Sequence, residues 1–218
     1  MSSLPQAVIF DMNGVIVDDE RIHQKSWRKF CHDHGFRLTE DEFKQKVFGR
    51  IEKETFEYLF KRQLTEEEVQ QYSDERVDVA IELIKPILEV VAGVLGVLRF
   101  LKEHHIQIAL ATSSRRRYQR FIFDSLRLDD FFDAIVTAQD ISKGKPDPEI
   151  YLLAAKQLSV EPKECVAIED SVSGIRSAQK AGMKVIGIAT THTPEEIQQA
   201  DKVVLDFTSQ SFEQLFSF

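Results

Sequence analysis

The sequence predicts an α/β protein with a parallel β-sheet and a helical segment inserted after the first strand. From residue 93 onward, short apolar runs alternate with helical patterns, as in βαβ units with right-handed crossovers. Between residues 18 and 88, by contrast, only helical patterns occur. The 218 residues are enough for one core with a smaller second unit.

The first strand, residues 7–10, is a run of four apolar residues, which is typical of a strand buried in a parallel sheet. Asp11 follows at its carboxyl end, and Gly14 allows the backbone to turn sharply. Ligands of open α/β sheets bind beyond the carboxyl ends of the strands, so we expect a functional carboxylate here. An aspartate that only caps a turn is the alternative.

The inserted helical segment is predicted from apolar spacing and from N-terminal capping signals. Thr39 with Glu42, and Thr65 with Glu68, have the spacing of capping boxes, and a proline at position 86 closes the segment. The helices predicted in it cover residues 19–34, 39–48, 52–60 and 65–84.

The second half of the chain has the alternating α/β pattern. The predicted strands cover residues 106–111, 134–137, 165–168, 185–188 and 202–205. The predicted helices cover residues 94–104, 115–126, 148–158, 174–181 and 194–199.

Composition indicates an ordinary globular protein, with 43% hydrophobic and 29% charged residues. The net charge of −8 argues against general nucleic-acid binding. Cys31 and Cys165 lack metal-ligand spacing and are expected to be free thiols of a cytoplasmic protein. No segment resembles a signal peptide or approaches the ~20 apolar residues of a membrane span. We therefore expect a soluble, cytoplasmic monomer without a membrane or nucleic-acid partner.

Polar side chains follow several of the predicted strands, where they would converge at one edge of the sheet. Carboxylates there suit Mg²⁺, and a hydroxyl with backbone N–H groups suits phosphate oxygens. A lysine can neutralise a transferring phosphoryl group, and an aspartate can attack phosphorus. The set favours phosphoryl transfer, although each member alone is a common cap or loop residue. Its members are Asp11, Asn13, Thr112, Ser113, Lys145, Glu169 and Asp170.

These motifs together resemble the four motifs of the haloacid dehalogenase (HAD) superfamily. They are the Asp-x-x-Gly-Val of residues 11–15, the Thr-Ser of 112–113, the Gly-Lys-Pro-Asp-Pro of 144–148 and the Glu-Asp-Ser of 169–171. The chain most resembles the β-phosphoglucomutase-like phosphatases, over nearly its whole length. The resemblance implies a Rossmann-like core of residues 1–16 and 92–218 with an all-helical cap of residues 17–91. It also implies a Mg²⁺-dependent phosphatase acting on a small phosphorylated metabolite such as a sugar phosphate.

The resemblance assigns roles on the phosphoryl side of the site. Asp11 would be the nucleophile that forms an aspartyl phosphate. Thr112 would bind the transferring phosphoryl group, with the backbone amide of Ser113 helping. Lys145 would bridge the nucleophile and the phosphate.

On the metal side, Asp11, Asp170 and the carbonyl oxygen of Asn13 would ligate Mg²⁺, and Glu169 would act directly or through water. The family has an aspartate as general acid and base where this chain has Asn13. An amide has no titratable proton, so an effect of about 10²–10⁴-fold on the rate is lost. Two explanations stay open: an engineered Asp→Asn variant that turns over slowly, or a natural slow phosphatase or pseudo-enzyme.

The cap residues implied for substrate binding are His23 and Trp27, four residues apart on one helix, and the loop residues Gly49 and Arg50. Core packing is the alternative for Trp27. Where the mutase has an arginine for a second phosphate, this chain has Glu52. The sequence therefore favours a phosphatase over a mutase.

Arg115 and Arg116 begin the helix after Thr112, and either could face substrate, although a surface charge run is the alternative. Two other functions stay open. One is a β-phosphoglucomutase, which would transfer phosphate to a second hydroxyl group. The other is a catalytically weak protein that binds phosphorylated metabolites without turnover.

Overall fold

The computed structural model describes residues 4–47 and 52–218. The chain divides into two compact units, each described by itself. One unit combines the chain up to Asp18 with Glu89–Phe218, and the other is Asp19–Leu88. We refer to them as the core unit and the helical unit.

The core unit contains a six-stranded sheet in which every neighbouring pair is parallel, in the order β3-β2-β1-β4-β5-β6. The first strand lies in the middle, and its Phe10 is opposite Leu110 on one side and Ile168 on the other. The predicted α/β class is confirmed. The strands are β1 (Ala7–Phe10), β2 (Gln107–Ala111), β3 (Ala134–Val136), β4 (Cys165–Glu169), β5 (Lys184–Ile188) and β6 (Lys202–Val204).

Most helices lie close to their predicted positions, although the short one at residues 212–215 was not predicted. None in the described part of the chain combines the length and apolar character that a membrane crossing requires. In the helical unit they are α1 (Glu20–Asp33), α2 (Glu40–Glu42), α3 (Glu52–Phe60) and α4 (Glu66–Ile84). In the core unit they are α5 (Val94–Glu103), α6 (Arg116–Leu126), α7 (Glu149–Leu158), α8 (Val172–Lys180) and α9 (Phe212–Leu215).

The central strands are apolar because helices cover them. All four residues of β1 are fully buried, and β4 is buried along its whole length. One face of the sheet packs against α7 and α8 through Tyr151, Ile175 and their neighbours. When both faces of a strand are covered, only its two ends can reach the surface. The polar groups that follow β1 and β4 therefore lie at the edge of the sheet formed by the strand ends.

The helical unit is held together by aromatic side chains. Trp27, Phe30 and Phe56 are buried against one another, and Tyr72 packs on Phe30 and Phe56 with ring centroids 6.0 and 5.7 Å away. The predicted capping boxes at Thr39 and Thr65 are both present. Each satisfies backbone N–H groups that the first helical turn leaves without partners.

Two predicted helices differ from the structure. The one at residues 39–48 is a short α2 followed by a π-helical turn, Phe43–Val47, whose two end residues are buried in the aromatic cluster. Residue 48 lies outside the described residues. Residues 194–199 form turns. After these turns, Asp201 accepts a hydrogen bond from Val185 N (2.9 Å), and Lys202 pairs with Ile186 in the sheet.

Candidate active site

The carboxyl ends of β1, β2 and β4 bring acidic and hydroxyl side chains to one edge of the sheet. Asp11 follows β1, Thr112 follows β2, and Glu169 and Asp170 lie at the end of β4. Lys145 joins them from the segment before α7. The structure therefore brings together the core residues that the strand-end pattern selects.

Lys145 connects this group. Its ammonium donates to Asp11 Oδ1 (2.8 Å), to Glu169 Oε1 (2.6 Å) and to the carbonyl oxygen of Ala111 (3.0 Å). The Lys145 side chain is only 6% exposed. Three acceptors for the three protons of a buried ammonium fix its position between the two carboxylates.

Glu169 is fully buried, and both of its oxygens accept hydrogen bonds. Besides Lys145, Oε1 accepts from the Tyr151 hydroxyl (2.8 Å). Oε2 accepts from the backbone N–H of Asp170 and from the N–H and hydroxyl of Ser171, at 3.0–3.1 Å. Gly174 in α8 leaves the space for this carboxylate, because a Cβ at that position would overlap with it. Glu169 is thus anchored by protein donors.

Asp170 is 6% exposed and packs against the turn that follows β1. Its Oδ2 accepts a hydrogen bond from the Thr191 hydroxyl. Gly14 has φ +74°, and a Cβ there would overlap with the Asp170 carboxylate. One carboxylate oxygen from each of Asp11, Glu169 and Asp170 lies within 4.8 Å of the others, a spacing that can hold a metal ion.

Negative charge exceeds positive charge in this cluster, which contains three carboxylates and the Lys145 ammonium. Burial raises the pKa of Asp11 to about 7, with Glu169 adding to the rise and Lys145 opposing it. Burial, with the charges of Glu169 and Asp11, also raises the pKa of Asp170 well above its usual range. Burial alone would lower the pKa of Lys145, but the two carboxylates outweigh it and raise that pKa. Hard oxygen donors with excess negative charge fit a divalent cation.

A hydroxyl cluster lies around Asn13. Asn13 Oδ1 accepts hydrogen bonds from Ser114 Oγ (2.7 Å) and Thr112 Oγ1 (3.4 Å), and Thr112 Oγ1 accepts from the backbone N–H of Ser114 (3.0 Å). Thr112 is fully buried, whereas Ser113 is exposed. The segment leads directly into α6.

The arginines at the start of α6 lie in two settings. Arg116 forms an ion pair with Asp140 (2.5 Å), and its side chain is 53% exposed. Its backbone N–H donates to Gln139 Oε1 (3.0 Å). Arg115 is half-buried at the N-cap of α6. Arg116 therefore has the setting of a surface residue.

The candidate residues of the helical unit are placed by local packing. His23 Nε2 lies 3.3 Å from the buried carboxylate of Asp19. Trp27 is 6% exposed and lies under the Arg76 guanidinium, which is 4.9 Å from the ring centroid. The packing alternative for Trp27 is thus what the structure shows inside this unit. Gly49 and Arg50 lie outside the described residues.

Sequence reasoning did not select several residues that contact the cluster. Thr191 lies in the loop after β5, where a threonine by itself carries no chemical signal. Ser171 stands in the Glu-Asp-Ser motif but was given no role of its own. Ser114 stands one residue beyond the Thr-Ser motif. Tyr151 lies within the apolar pattern of α7, and nothing in the sequence distinguishes it from a core aromatic.

Comparisons with known proteins identify the family. Residues 8–188 match the family described as haloacid dehalogenase-like hydrolase. The phosphorylated carbohydrates phosphatase of Thermotoga maritima is 33% identical over 181 residues, 83% of each chain. The β-phosphoglucomutase of Bacillus subtilis is 32% identical over 191 residues, 84% of this chain and 83% of the relative.

Among solved structures, a HAD hydrolase of family IA, variant 3, from Entamoeba histolytica superposes with a TM-score of 0.87 at 31% identity. The match covers 97% of each chain. These findings confirm both the family and the class of enzyme, a phosphohydrolase, that the four motifs predict. The chain belongs to the haloacid dehalogenase-like hydrolase family.

Proposed function

We propose that this chain is a Mg²⁺-dependent phosphatase of small phosphomonoesters, with sugar phosphates as its substrates and an aspartyl phosphate on Asp11 as its intermediate. The observation that carries the proposal is the buried Lys145 ammonium between Asp11 and Glu169, beside the Asp170 carboxylate. The substrate class is supported by the name of the Thermotoga maritima relative, a phosphatase of phosphorylated carbohydrates.

Asp11 acts as the nucleophile in two steps. A deprotonated Asp11 oxygen bonds to phosphorus as the ester P–O bond breaks, and the departing oxygen takes a proton from water to leave as an alcohol. Water then attacks the same phosphorus, releasing inorganic phosphate and restoring the carboxylate. Lys145 holds Asp11 in place and offsets the charge of the phosphoryl oxygens.

The phosphoryl oxygens are bound at the start of α6. The buried Thr112 hydroxyl and the Ser113 backbone amide are the proposed donors, and the N-terminus of a helix favours an anion. Arg115, at the N-cap of α6, is retained as a candidate for the rest of the substrate.

Asp11, Asp170 and the carbonyl oxygen of Asn13 are the proposed Mg²⁺ ligands. A bound Mg²⁺ would supply positive charge that offsets the excess carboxylates and the phosphate. Because both Glu169 oxygens already accept protein hydrogen bonds, Glu169 acts on the metal through water and on Lys145 directly.

Asn13 is expected to lower the rate of the reaction. The family places a general acid and base here, and an amide can neither give nor take the proton, so the leaving oxygen depends on solvent. The contacts of Asn13 Oδ1 also suit a carboxylate oxygen, because Ser114 and Thr112 both donate to it. An aspartate at this position is therefore expected to fold and to be oriented in the same way, whichever origin the asparagine has.

The test is phosphate release from a panel of sugar phosphates, with and without Mg²⁺, by the chain and its Asn13→Asp variant. We expect Asn13→Asp to raise the Mg²⁺-dependent rate by about 10²-fold or more. The matched control is Asn13→Asp combined with Asp11→Asn, which should be inactive because the nucleophile is lost. No gain with Asn13→Asp on any substrate would contradict the assignment.

A β-phosphoglucomutase is the second candidate, since the Bacillus subtilis relative carries that name. In the same assay a mutase would move phosphate to a second hydroxyl of a hexose phosphate without releasing it to water. A phosphometabolite-binding protein without turnover would leave both variants inactive while inorganic phosphate and Mg²⁺ still bind. Product analysis by phosphorus NMR separates the three outcomes.

The helical unit, Asp19–Leu88, is proposed to be the specificity-determining cap predicted for residues 17–91, with His23 and Arg50 as its substrate contacts. Alanine variants of His23 and Arg50 should raise KM more than they lower kcat.

We further propose that the enzyme is cytoplasmic and monomeric. Sedimentation of the purified chain tests the oligomeric state.

A further inference from the structure

The segment after β5 contacts the acidic cluster through two consecutive threonines. β5 pairs with β4, so its carboxyl end lies at the same edge of the sheet as Asp170. Thr190 Oγ1 donates to the carbonyl oxygen of Gly14 (2.5 Å), and Thr191 Oγ1 donates to Asp170 Oδ2. Thr190 thus holds the turn after β1 by a hydrogen bond, and Thr191 holds the Asp170 carboxylate after β4 in the same way.

The Thr191 hydroxyl also contacts His192 Nδ1, at 3.0 Å. A hydroxyl group has a single proton, and here that proton is donated to Asp170. The His192 contact therefore requires a proton on Nδ1, so that the imidazole donates to Thr191. The result is a directed chain of hydrogen bonds from His192 through Thr191 to Asp170, in which each bond polarises the next.

Packing limits where the Asp170 carboxylate can lie. A Cβ on Gly14 would overlap with Asp170 Oδ2 and would come within 2.9 Å of Thr191 Cγ2. Oδ2 is thus enclosed between Gly14 and the Thr191 hydroxyl. This fixes the orientation of the carboxylate, of which one oxygen lies within 4.8 Å of carboxylate oxygens of Asp11 and Glu169.

We propose that Thr191 is a positioning residue that orients Asp170 as a ligand for the divalent cation, assisted by His192. The inference rests on the proposed function, because it takes Asp170 to be a metal ligand. Groups that orient a ligand from behind alter metal affinity by about 10–100-fold when they are removed. The hydroxyl of Thr191, which sequence reasoning did not select, would then set how tightly this chain holds its metal.

The experiment measures the Kd for Mg²⁺ by titration calorimetry on the full chain. Thr191→Val keeps the shape but removes the hydroxyl, and we expect it to raise the Kd by about 10-fold or more. Thr191→Ser keeps the hydroxyl and should bind Mg²⁺ within about twofold of the unaltered chain. Thr193→Val is the matched control, because Thr193 is exposed on the same segment and its hydroxyl accepts only a local bond from Glu196 N.

A second readout separates positioning from folding. Without metal, Thr191→Val should still unfold cooperatively, at a modestly lower melting temperature because Asp170 loses one hydrogen bond. The rise in melting temperature on adding Mg²⁺ should shrink relative to that of the unaltered chain. If Thr191→Val fails to fold, Thr191→Ala, which only removes atoms, replaces it in both measurements.

Two results would overturn the inference in distinguishable ways. If Asp170→Asn abolishes Mg²⁺ binding but Thr191→Val leaves the Kd unchanged, the role of Thr191 is wrong and the proposed function stands. If the unaltered chain and Asp170→Asn bind Mg²⁺ equally weakly, the proposed metal site fails, and the inference fails with it.

Discussion

The two units each bury a cationic side chain among acceptors, and the two clusters differ in charge balance. In the helical unit, Arg76 donates twice to Glu52 Oε1, at 2.6 and 3.2 Å, and stacks over the ring of Trp27. Within the described part of the chain, this ion pair joins one guanidinium to one carboxylate. In the core unit, the Lys145 ammonium faces Asp11 and Glu169, with Asp170 close behind.

This difference shows in which of the two clusters the charges already compensate one another. In a buried ion pair of equal and opposite charges, each charge is compensated by the other and no further ion is needed. When the cation also stacks on an aromatic ring, the pair contributes to packing. Three carboxylates around one ammonium leave a charge that only a proton or a cation can offset. The pKa of Asp11, raised to about 7 chiefly by burial, means that this carboxyl group holds a proton more readily than an exposed one does. Charge balance, more than burial, distinguishes the candidate active site from a structural ion pair.

The largest expected effect comes from removing Asp11. Asp11→Asn should lower phosphate release by more than about 10³-fold, because the nucleophile is lost. At pH 8 without metal it should also raise the melting temperature, because a buried carboxylate whose folded pKa is raised to about 7 destabilises the fold when ionised. Differential scanning calorimetry measures this change.

The matched control for Asp11→Asn is Glu52→Gln in the helical unit. It removes one partner of a balanced pair, so it should lower the melting temperature. Equal signs for the two substitutions would contradict the distinction between the clusters.

A second prediction compares the two cations. Lys145→Met leaves Asp11 and Glu169 buried without their countercharge and should lower the free energy of unfolding by about 3–5 kcal/mol without metal. Arg76→Met should cost less, about 1–3 kcal/mol, because Glu52 is 23% exposed and retains contact with water. Urea denaturation at neutral pH measures both, and a larger loss for Arg76→Met would reverse the comparison.

The smallest effect is the pH dependence of metal binding. Below the Asp11 pKa of about 7, a proton occupies the carboxylate that the cation needs. The pKa of Asp170, a second proposed ligand, is also raised by burial, so it too must lose a proton to bind the cation. The affinity for Mg²⁺ should therefore rise as the pH increases toward 7. Calorimetry in buffers of different ionisation enthalpy should detect proton release, and an affinity that is constant below pH 7 would contradict the assignment.

The sequence was sufficient for the sheet and the acidic residues, because both depend on local patterns. Asp11, Glu169 and Asp170 each follow an apolar run, and parallel strands bring their carboxyl ends together. Thr191 also follows a strand, but two threonines in a loop carry no chemical signal by themselves. Tyr151 could not be selected from the sequence, because its contact with Glu169 depends on how α7 packs on the sheet.

At residues 194–199 the local sequence pattern predicted a helix that the structure does not form. The helical pattern is real, since Thr193 and Glu196 exchange the hydrogen bonds of a helix start. The segment nevertheless forms turns, whereas α8 forms in the connection of similar length between β4 and β5. This difference between the two connections cannot be read from a local window of the sequence.

Gly174 has a consequence for engineering this chain. It lies inside α8, where alanine would be favoured over glycine by about 1 kcal/mol from intrinsic preference alone. A methyl group there would take the space of the Glu169 carboxylate and displace the anchor of Lys145. Replacing glycine by alanine in a helix is a common way to make an enzyme more resistant to heat, but at this position we expect it to destabilise the site. The chain keeps a glycine that weakens α8, and the Glu169 carboxylate occupies the volume that a side chain would need.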